Sequence, residues 1–170
     1  MGDSSDDPYR KALNSALRIL MRRDHSSVEL AQKLMRRGHV EDVVQRVISE
    51  CLRLNYLDDR RALRQVLDGM KRRGFGTHRI RQELSKRGLA GDGSECSPAE
   101  SLPPAEERSV ALRVALKKWK RLQQEPEPEP GRRRLRLMRF LRFRGFPDSV
   151  IYDVMKALEE AACENPASSS

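Results

Sequence analysis

The chain contains ELAQKLMRRG at residues 29–38, RIRQELSKRG at residues 79–88 and RLMRFLRFRG at residues 136–145. In each segment, apolar residues lie eight and four positions before the final glycine, which is the spacing of one buried stripe on a helix. An Arg-Gly ending is typical of a helix end, because glycine adopts the left-handed conformation easily and a cation interacts favourably with the helix dipole. The glycines at positions 38, 88 and 145 are 50 and 57 residues apart. This spacing predicts an all-α protein built from tandem helical units.

Three units are predicted along the chain. Residues 9–56 form repeat 1, in which the apolar periodicity indicates three helices; residues 57–104 form repeat 2 and residues 105–163 form repeat 3. An acidic tail (residues 1–8) precedes them, and we expect residues 164–170 to be disordered. The last helix of repeat 3 copies the third helix of repeat 1 at five positions with identical offsets. Gly145, Val150, Ile151, Val154 and Met155 match Gly38, Val43, Val44, Val47 and Ile48.

Two stretches of turn-forming residues interrupt this pattern. Residues 90–104 are rich in glycine, serine and proline, so we expect a mobile connection or at most a short helical turn in place of the third helix of repeat 2. The sequence EPEPEP at residues 125–130 cannot be helical, because proline lacks the backbone N–H and clashes with the preceding turn. We therefore predict an extended, polyproline-like spacer over residues 125–131, inside repeat 3.

Local residues predict several helix starts and one buried face. Asp7, Ser26, Asp58, Asp59 and Thr77 each stand where a side-chain oxygen can cap the following helix. The third helix of repeat 1 is predicted to bury one apolar face. Its members are Val40, Val43, Val44, Val47, Ile48, Cys51 and Leu52.

Positive charge is the second feature of the sequence. The net charge is +9 and the pI is near 9.9, which is consistent with a polyanionic partner or, more simply, with well-solvated helices. The charge is uneven. Residues 60–88 contain ten Lys or Arg against two acidic residues, and residues 132–144 contain seven arginines and no acidic residue. Residues 12–55 contain eight basic and five acidic residues, so the footprint of a polyanion is predicted on repeats 2 and 3.

The candidate contact residues are therefore basic side chains of the last two repeats, because guanidinium groups bind phosphate oxygens in a bidentate manner. Phe140 and Phe143 alternate with arginines and could stack on bases, although packing between helices is the more ordinary role for them. The predicted contact residues are Lys71, Arg72, Arg73, Arg79, Arg81, Arg133, Arg136 and Arg139.

The sequence offers no pattern typical of catalysis or metal binding. Cys51, Cys96 and Cys163 are widely separated, so neither a disulfide framework nor a zinc site is indicated. No phosphate-binding loop, dinucleotide motif or nucleophile–base pairing is present. We predict a non-enzymatic protein without cofactors. The N-terminus lacks an apolar signal segment and no apolar stretch is long enough to span a membrane, so a cytoplasmic protein is expected. A basic amphipathic helix at 132–144 could bind a membrane surface, but the related segments favour a structural helix.

Five segments carry a resemblance to a known family, among them SSVEL at residues 26–30 and LMRRG at residues 34–38 of the first repeat. NYLDDRRA at residues 55–62, KRRGFGTHRIRQELSKRG at residues 71–88 and FLRFRGF at residues 140–146 resemble the RecX family, bacterial regulators of the RecA recombinase. The resemblance extends over residues 9–160. It implies tandem three-helix units, nine helices in the full form. The missing third helix of repeat 2 and the spacer at residues 125–131 depart from that form.

The resemblance also implies a function. Such a protein would be a modulator lying in the groove of the RecA filament on single-stranded DNA, where it restrains ATP hydrolysis and strand exchange. We expect an elongated, curved array, acting as a monomer, that touches several RecA protomers and binds DNA directly only weakly. The alternative is a basic helical DNA-binding or transcriptional protein that acts without RecA. A nuclease is a remote third possibility, because no carboxylate cluster for a metal is present.

Overall fold

The computed structural model describes residues 7–90, 102–125 and 131–164, and the regular structure within these ranges is helical throughout. The predicted all-α class is therefore confirmed. Eight helices occur in these ranges. They are α1 (Pro8–Leu20), α2 (Ser27–Met35), α3 (Glu41–Arg53), α4 (Asp59–Arg73), α5 (Thr77–Lys86), α6 (Pro104–Gln123), α7 (Arg132–Phe143) and α8 (Asp148–Glu164).

Three of the predicted caps hold the first turns of α1, α2 and α4. The Asp7 carboxylate accepts the backbone N–H of Tyr9 at 3.0 Å. Ser26 Oγ accepts the N–H of Glu29 at 3.0 Å, and Asp58 Oδ1 accepts the N–H of Arg61 at 3.0 Å. Each such cap satisfies a backbone donor that the helix itself leaves unpaired, and typically stabilises it by about 1 kcal/mol.

The other two predicted caps act differently. Thr77 is the first residue of α5 rather than its cap, and its buried Oγ1 has no hydrogen-bond partner among the described residues. Its backbone N–H is instead donated to Glu107 Oε1 at 2.7 Å. Asp59 accepts both the N–H and the hydroxyl of Ser27 at 2.6 Å, so it caps α2 and not its own helix. The prediction was wrong at Thr77 and Asp59, because the carboxylate at the start of α5 comes from Glu107 and Asp59 caps a helix 32 residues earlier in the chain.

The three repeated Arg-Gly endings terminate helices as predicted. Gly38, Gly88 and Gly145 have φ of +87°, +64° and +83°. After each glycine, the next residue donates its N–H to the carbonyl of the leucine that lies four positions before the glycine, which is the Schellman arrangement. The three bonds are His39 to Leu34 (3.3 Å), Leu89 to Leu84 (2.9 Å) and Phe146 to Leu141 (3.2 Å).

The chain divides into two compact units. Unit 1 comprises residues 1–67 and 83–95, and unit 2 comprises residues 68–82 and 96–170. The division passes through α4 and through α5. Neither unit is therefore one continuous stretch of sequence.

The core of unit 1 lies between α1, α2 and α3. Leu30 and Leu34, the predicted stripe of α2, are fully buried. Cys51 is buried in the same cluster, as predicted. Val40 and Leu52 are 64% and 42% exposed, so their placement on the buried face of α3 was wrong. Val40 precedes the helix as its cap residue, and Leu52 falls outside the narrower stripe that Val44, Val47, Ile48 and Cys51 form.

The core of unit 2 lies between α6, α7 and α8. Leu137 and Leu141 are fully buried at its centre, as their spacing predicts. The remaining buried members come from α6 and from the region around α8. They are Val110, Ala111, Ala115, Leu122, Phe146, Val150, Ile151, Val154 and Met155. Ile151, Val154 and Met155 of α8 are thus buried core residues, as are their counterparts in repeat 1, whereas Val43, the counterpart of Val150, is only partly buried.

Several predictions concern residues outside the described ranges. Residues 91–101, 126–130, 1–6 and 165–170 are not described, so the expected loop at 90–104, the spacer at 125–131 and the disordered tail stay predictions. Where the chain is described again, Leu102 is buried and Pro104 begins α6. α6 therefore begins one residue before residue 105, where repeat 3 was predicted to start.

Candidate functional site

Both predicted basic clusters belong largely to unit 2, where the α4–α5 turn is bonded to the end of α7. Gly76 donates its N–H to Arg144 O at 2.9 Å, and His78 donates its N–H to Gly145 O at 3.0 Å. A Cβ on Gly76 would lie 2.5 Å from Gly145 O, so only glycine allows this approach. Direct backbone bonds therefore hold the cluster around residues 71–81 close to the end of the arginine-rich helix.

Arg144 strengthens the same junction, and sequence reasoning did not single it out. Its guanidinium lies 5.0 Å from the ring centroids of both Phe75 and Phe140. The same group donates to the carbonyls of Arg73 and Gly74, the latter at 3.2 Å. Arg144 is therefore a structural residue. Its position before Gly145 resembles an ordinary cationic helix end, and no local signal distinguishes it.

The cluster at the end of α4 is partly committed to contacts within the protein. Lys71 Nζ pairs with Glu106 Oε2 at 3.1 Å. Arg73 folds back onto its own helix, where Nε donates to the carbonyl of Gly69 at 3.1 Å. Arg72 is exposed and has no side-chain partner among the described residues. Of these three cations, Arg72 is the one available to a ligand.

On α5, Arg79 and Arg81 both project into solvent. The only side-chain bond of Arg79 within the described ranges is a long one, 3.5 Å from Nη1 to Gln82 Oε1. Arg81 has no side-chain partner in the same ranges. Both residues can therefore bind an external anion without breaking a strong contact within the protein.

On α7, one acidic residue competes for two of the predicted contact residues. Glu125 Oε2 pairs with Arg136 Nη2 at 2.6 Å, and the Glu125 carbonyl accepts from Arg133 Nη2 at 2.9 Å. Arg139 is exposed and without a side-chain partner in the described part of the chain. Phe140 packs against the core, whereas Phe143 is 77% exposed. Packing thus explains Phe140 and leaves Phe143 accessible to a partner.

The eight predicted residues therefore differ in availability. Arg72, Arg81 and Arg139 are exposed and unpaired within the described ranges, and Arg79 is nearly so, while Lys71, Arg73, Arg133 and Arg136 are held by the protein itself. Three further cations on α6 are exposed and unpaired within the described ranges and were not predicted. They are Lys117, Lys120 and Arg121, whose i, i+3, i+4 spacing was the available signal.

The described residues hold no cluster of three or more His, Cys, Asp or Glu side chains able to bind a metal ion. Burial raises the pKa of the Cys51 thiol, with a smaller contribution from Glu50. The Cys51 thiol is therefore protonated at neutral pH and suited to packing. No helix in the described ranges combines the length and the apolar character needed to cross a membrane.

Comparison with known sequences identifies two domains. The model of the first three-helix domain of RecX matches residues 12–51, and the model of the third matches residues 106–155. The regulatory protein RecX of Vibrio parahaemolyticus is 34% identical over 146 residues, which cover 85% of this chain and 90% of that protein. The regulatory protein RecX of Legionella pneumophila is 31% identical and is covered to 97% of its length.

Solved structures agree in fold. The crystal structure of RecX from Lactobacillus salivarius superposes with a TM-score of 0.74 at 19% identity, covering 90% of this chain and 97% of that one. A second crystal structure of regulatory protein RecX gives a TM-score of 0.70 at 24% identity, covering 89% of this chain and 72% of that one. These matches extend the helical-repeat architecture beyond the two domains that the sequence models recognise. The chain therefore belongs to the RecX family of regulatory proteins.

Proposed function

We propose that this protein binds the RecA filament on single-stranded DNA and restrains RecA, lowering its ATP hydrolysis and strand exchange. Family membership supports regulation of RecA in general. The observation that carries the finer proposal is a set of three exposed cations of unit 2 that have no side-chain partner among the described residues, namely Arg72, Arg81 and Arg139. Such groups suit an anionic surface, because they need not give up an internal partner in order to bind one.

Binding alone accounts for the proposed regulation. A filament repeats its subunits, so several weak contacts made by one molecule reinforce one another through a high effective concentration. Arginine contributes to each contact by bidentate bonding to phosphate or carboxylate oxygens. A bound molecule then restrains the conformational cycle that accompanies ATP hydrolysis, and it needs no catalytic group.

The internal pairing ranks the contact residues. Arg133 and Arg136 must exchange Glu125 for an external anion, so part of the gain on binding is offset by the loss of that partner. Arg139 on the same helix has no such exchange to make within the described ranges. We therefore expect Arg139→Gln to weaken filament binding more than Arg136→Gln.

The test is the single-stranded-DNA-dependent ATPase activity of RecA, titrated with wild-type protein and with the triple variant R72Q/R81Q/R139Q. A matched control, R108Q/R134Q/R142Q, removes the same charge from three exposed arginines that pair with Asp153, Glu159 and Asp148. We expect the wild type to inhibit well below one molecule per RecA protomer. The half-inhibitory concentration should rise about tenfold or more for the triple variant and change little for the control.

Salt dependence gives a second readout. Each lost contact with single-stranded DNA reduces the slope of log K against log salt by about 0.7, so the triple variant should lose about 2 if all three arginines meet phosphate. Equal loss of inhibition in the triple variant and its control would show that only net charge matters. If the wild-type protein does not inhibit the ATPase activity of RecA, the proposal that it restrains RecA is wrong.

The second candidate is a DNA-binding protein that acts without RecA. The same exposed cations favour it, together with Lys117, Lys120 and Arg121 on α6. Titration of labelled single-stranded and duplex DNA in the absence of RecA separates the two. Tight, sequence-dependent duplex binding combined with no effect on RecA would establish this alternative.

A further inference from the structure

A basic concavity lies in unit 1, and none of the cations that line it belongs to unit 2. Its volume is about 740 Å³, which is within the range of sites that hold small ligands. Six of the eight residues that line it are cationic, and the other two are Ile19 and His25. The six are Arg18, Arg22, Arg23, Lys33, Arg36 and Arg37.

The ends of two helices supply these cations. Arg18 lies in the last turn of α1, and Arg22 and Arg23 follow that helix; Lys33 lies in the last turn of α2, and Arg36 and Arg37 follow it. Cations near helix C-termini interact favourably with the dipole, which explains one or two of them. Six around one concavity is more than capping requires, because like charges at this spacing repel one another.

Acidic residues neutralise only part of this charge. Glu29 pairs with Arg23 and with Lys33, the latter at 3.1 Å. Asp24 is engaged by Arg61 Nε at 2.7 Å. Four arginines of the concavity are exposed and have no side-chain partner among the described residues. They are Arg18, Arg22, Arg36 and Arg37.

A buried histidine contacts one of the remaining cations, Lys33. His25 is 3% exposed, and its ring bonds at both nitrogens. Nδ1 lies 2.8 Å from the Arg23 carbonyl and Nε2 lies 2.8 Å from Lys33 Nζ. A neutral ring satisfies both contacts, donating to the carbonyl and accepting from the ammonium group. Lys33 is thereby held at the wall of the concavity by His25 and Glu29 before any ligand arrives.

We propose that this concavity binds a phosphate-bearing anion, with Arg18, Arg22, Arg36 and Arg37 as its contacts and Lys33 pre-positioned beside them. Guanidinium groups from two helix ends that have no partner within the described ranges can form the bidentate bonds that suit phosphate oxygens. The phosphate can belong to a nucleic-acid backbone or to a free nucleotide, since both present the same oxygens. The site shares no residue with the cations of unit 2, so its test is independent of the proposed action on RecA.

The test uses the full chain and three probes, each titrated without RecA. The probes are inorganic pyrophosphate and ATP, followed by calorimetry, and a fluorescein-labelled oligothymidine, followed by anisotropy. The variant R22Q/R36Q removes one arginine from each side of the concavity. Its control, R46Q/R53Q, removes the same charge from two exposed arginines of the same unit that do not line it.

We expect at least one probe to bind the wild type and to lose tenfold or more in affinity with R22Q/R36Q, against less than threefold with R46Q/R53Q. Loss confined to the oligonucleotide identifies a backbone site, and loss confined to pyrophosphate and ATP identifies a nucleotide site. The variant R22K/R36K keeps the charge but lacks the guanidinium fork, so its affinity should lie between those of the wild type and R22Q/R36Q. Equal losses in R22Q/R36Q and R46Q/R53Q, or no binding of any probe to the wild type, would overturn the proposal.

Discussion

Arg144 shows how one residue can join parts of the chain that lie 70 positions apart. Its guanidinium contacts the rings of Phe75 and Phe140 and the carbonyls of the α4–α5 turn. Contacts of arginine with aromatic faces contribute about 0.5–2 kcal/mol, and hydrogen bonds to a charged group about 1.5–3 kcal/mol. We expect Arg144→Ala to lower the free energy of unfolding by about 2 kcal/mol, measured by urea denaturation.

The control for that substitution is Arg142→Ala, two residues earlier on the same helix. Arg142 is exposed and pairs only with Asp148 in the described ranges, at 2.9 Å. Exposed ion pairs contribute little, so stability should hardly change. Equal loss of stability in the two variants would contradict the role given to Arg144.

Glu29 should make the stability of unit 1 depend on acid pH. Partial burial alone would raise its pKa, but hydrogen bonds from Arg23 and Lys33 outweigh that effect and lower the pKa from 4.5 to about 2. A depressed pKa in the folded state stabilises the protein above the unfolded value, and the gain is lost as pH falls from about 4.5 to about 2. In Glu29→Gln this part of the pH dependence should disappear, which denaturant titrations at pH 6 and pH 3 can measure.

The histidine beside Glu29 acts in a different pH window. Burial lowers the pKa of His25 from 6.5, and the nearby cations Arg23 and Lys33 add to this. As pH falls below 6.5, His25 is protonated more readily in the unfolded chain than in the folded protein, so the stability of the folded state declines in this pH range. Glu29→Gln should leave a pH dependence in that window, which separates the two groups.

At the scale of helices, the start of α5 depends on a residue of α6. Glu107 is 5% exposed and accepts the N–H of Thr77. Glu107→Ala should cost about 1–3 kcal/mol, because it leaves a buried donor unpaired. Thr77→Val should be nearly neutral, because the Thr77 hydroxyl has no partner to lose among the described residues. Thermal unfolding measures the stability of both variants. A larger loss of stability for Thr77→Val than for Glu107→Ala would support Thr77 as the local cap that the sequence predicts.

The helices also show which features local sequence can predict. The i, i+4 apolar pairs, the terminal glycines and the caps at Asp7, Ser26 and Asp58 were predicted correctly, because each depends on residues within one turn. The caps that Asp59 and Glu107 supply were not predicted, because these accepting carboxylates lie on helices other than the ones they cap. The apolar periodicity also predicted too wide a buried face for α3, because it cannot show how much of that helix the neighbouring helices cover.

Across the whole molecule, charge density along the sequence was a poor guide to available charge. Three of the six arginines of α7 lie next to acidic partners, namely Glu125 for Arg136, Glu159 for Arg134 and Asp148 for Arg142. Repeat 1 has the smaller excess of positive charge, yet four of its arginines line one concavity and have no side-chain partner in the part of the chain that the structure describes. Which cations are paired depends on tertiary contacts, and the sequence alone could not predict it.

The division of the chain has a consequence for synthesis and for dissection. Unit 1 takes its second segment, residues 83–95, from beyond residues 68–82, which belong to unit 2. A ribosome has therefore already made the opening segment of unit 2 before it finishes unit 1. A single protease cut or a single stop codon cannot release two complete halves, because every break point leaves at least one unit without part of itself. Neither unit can therefore be cut out of the chain as one segment without residues of the other.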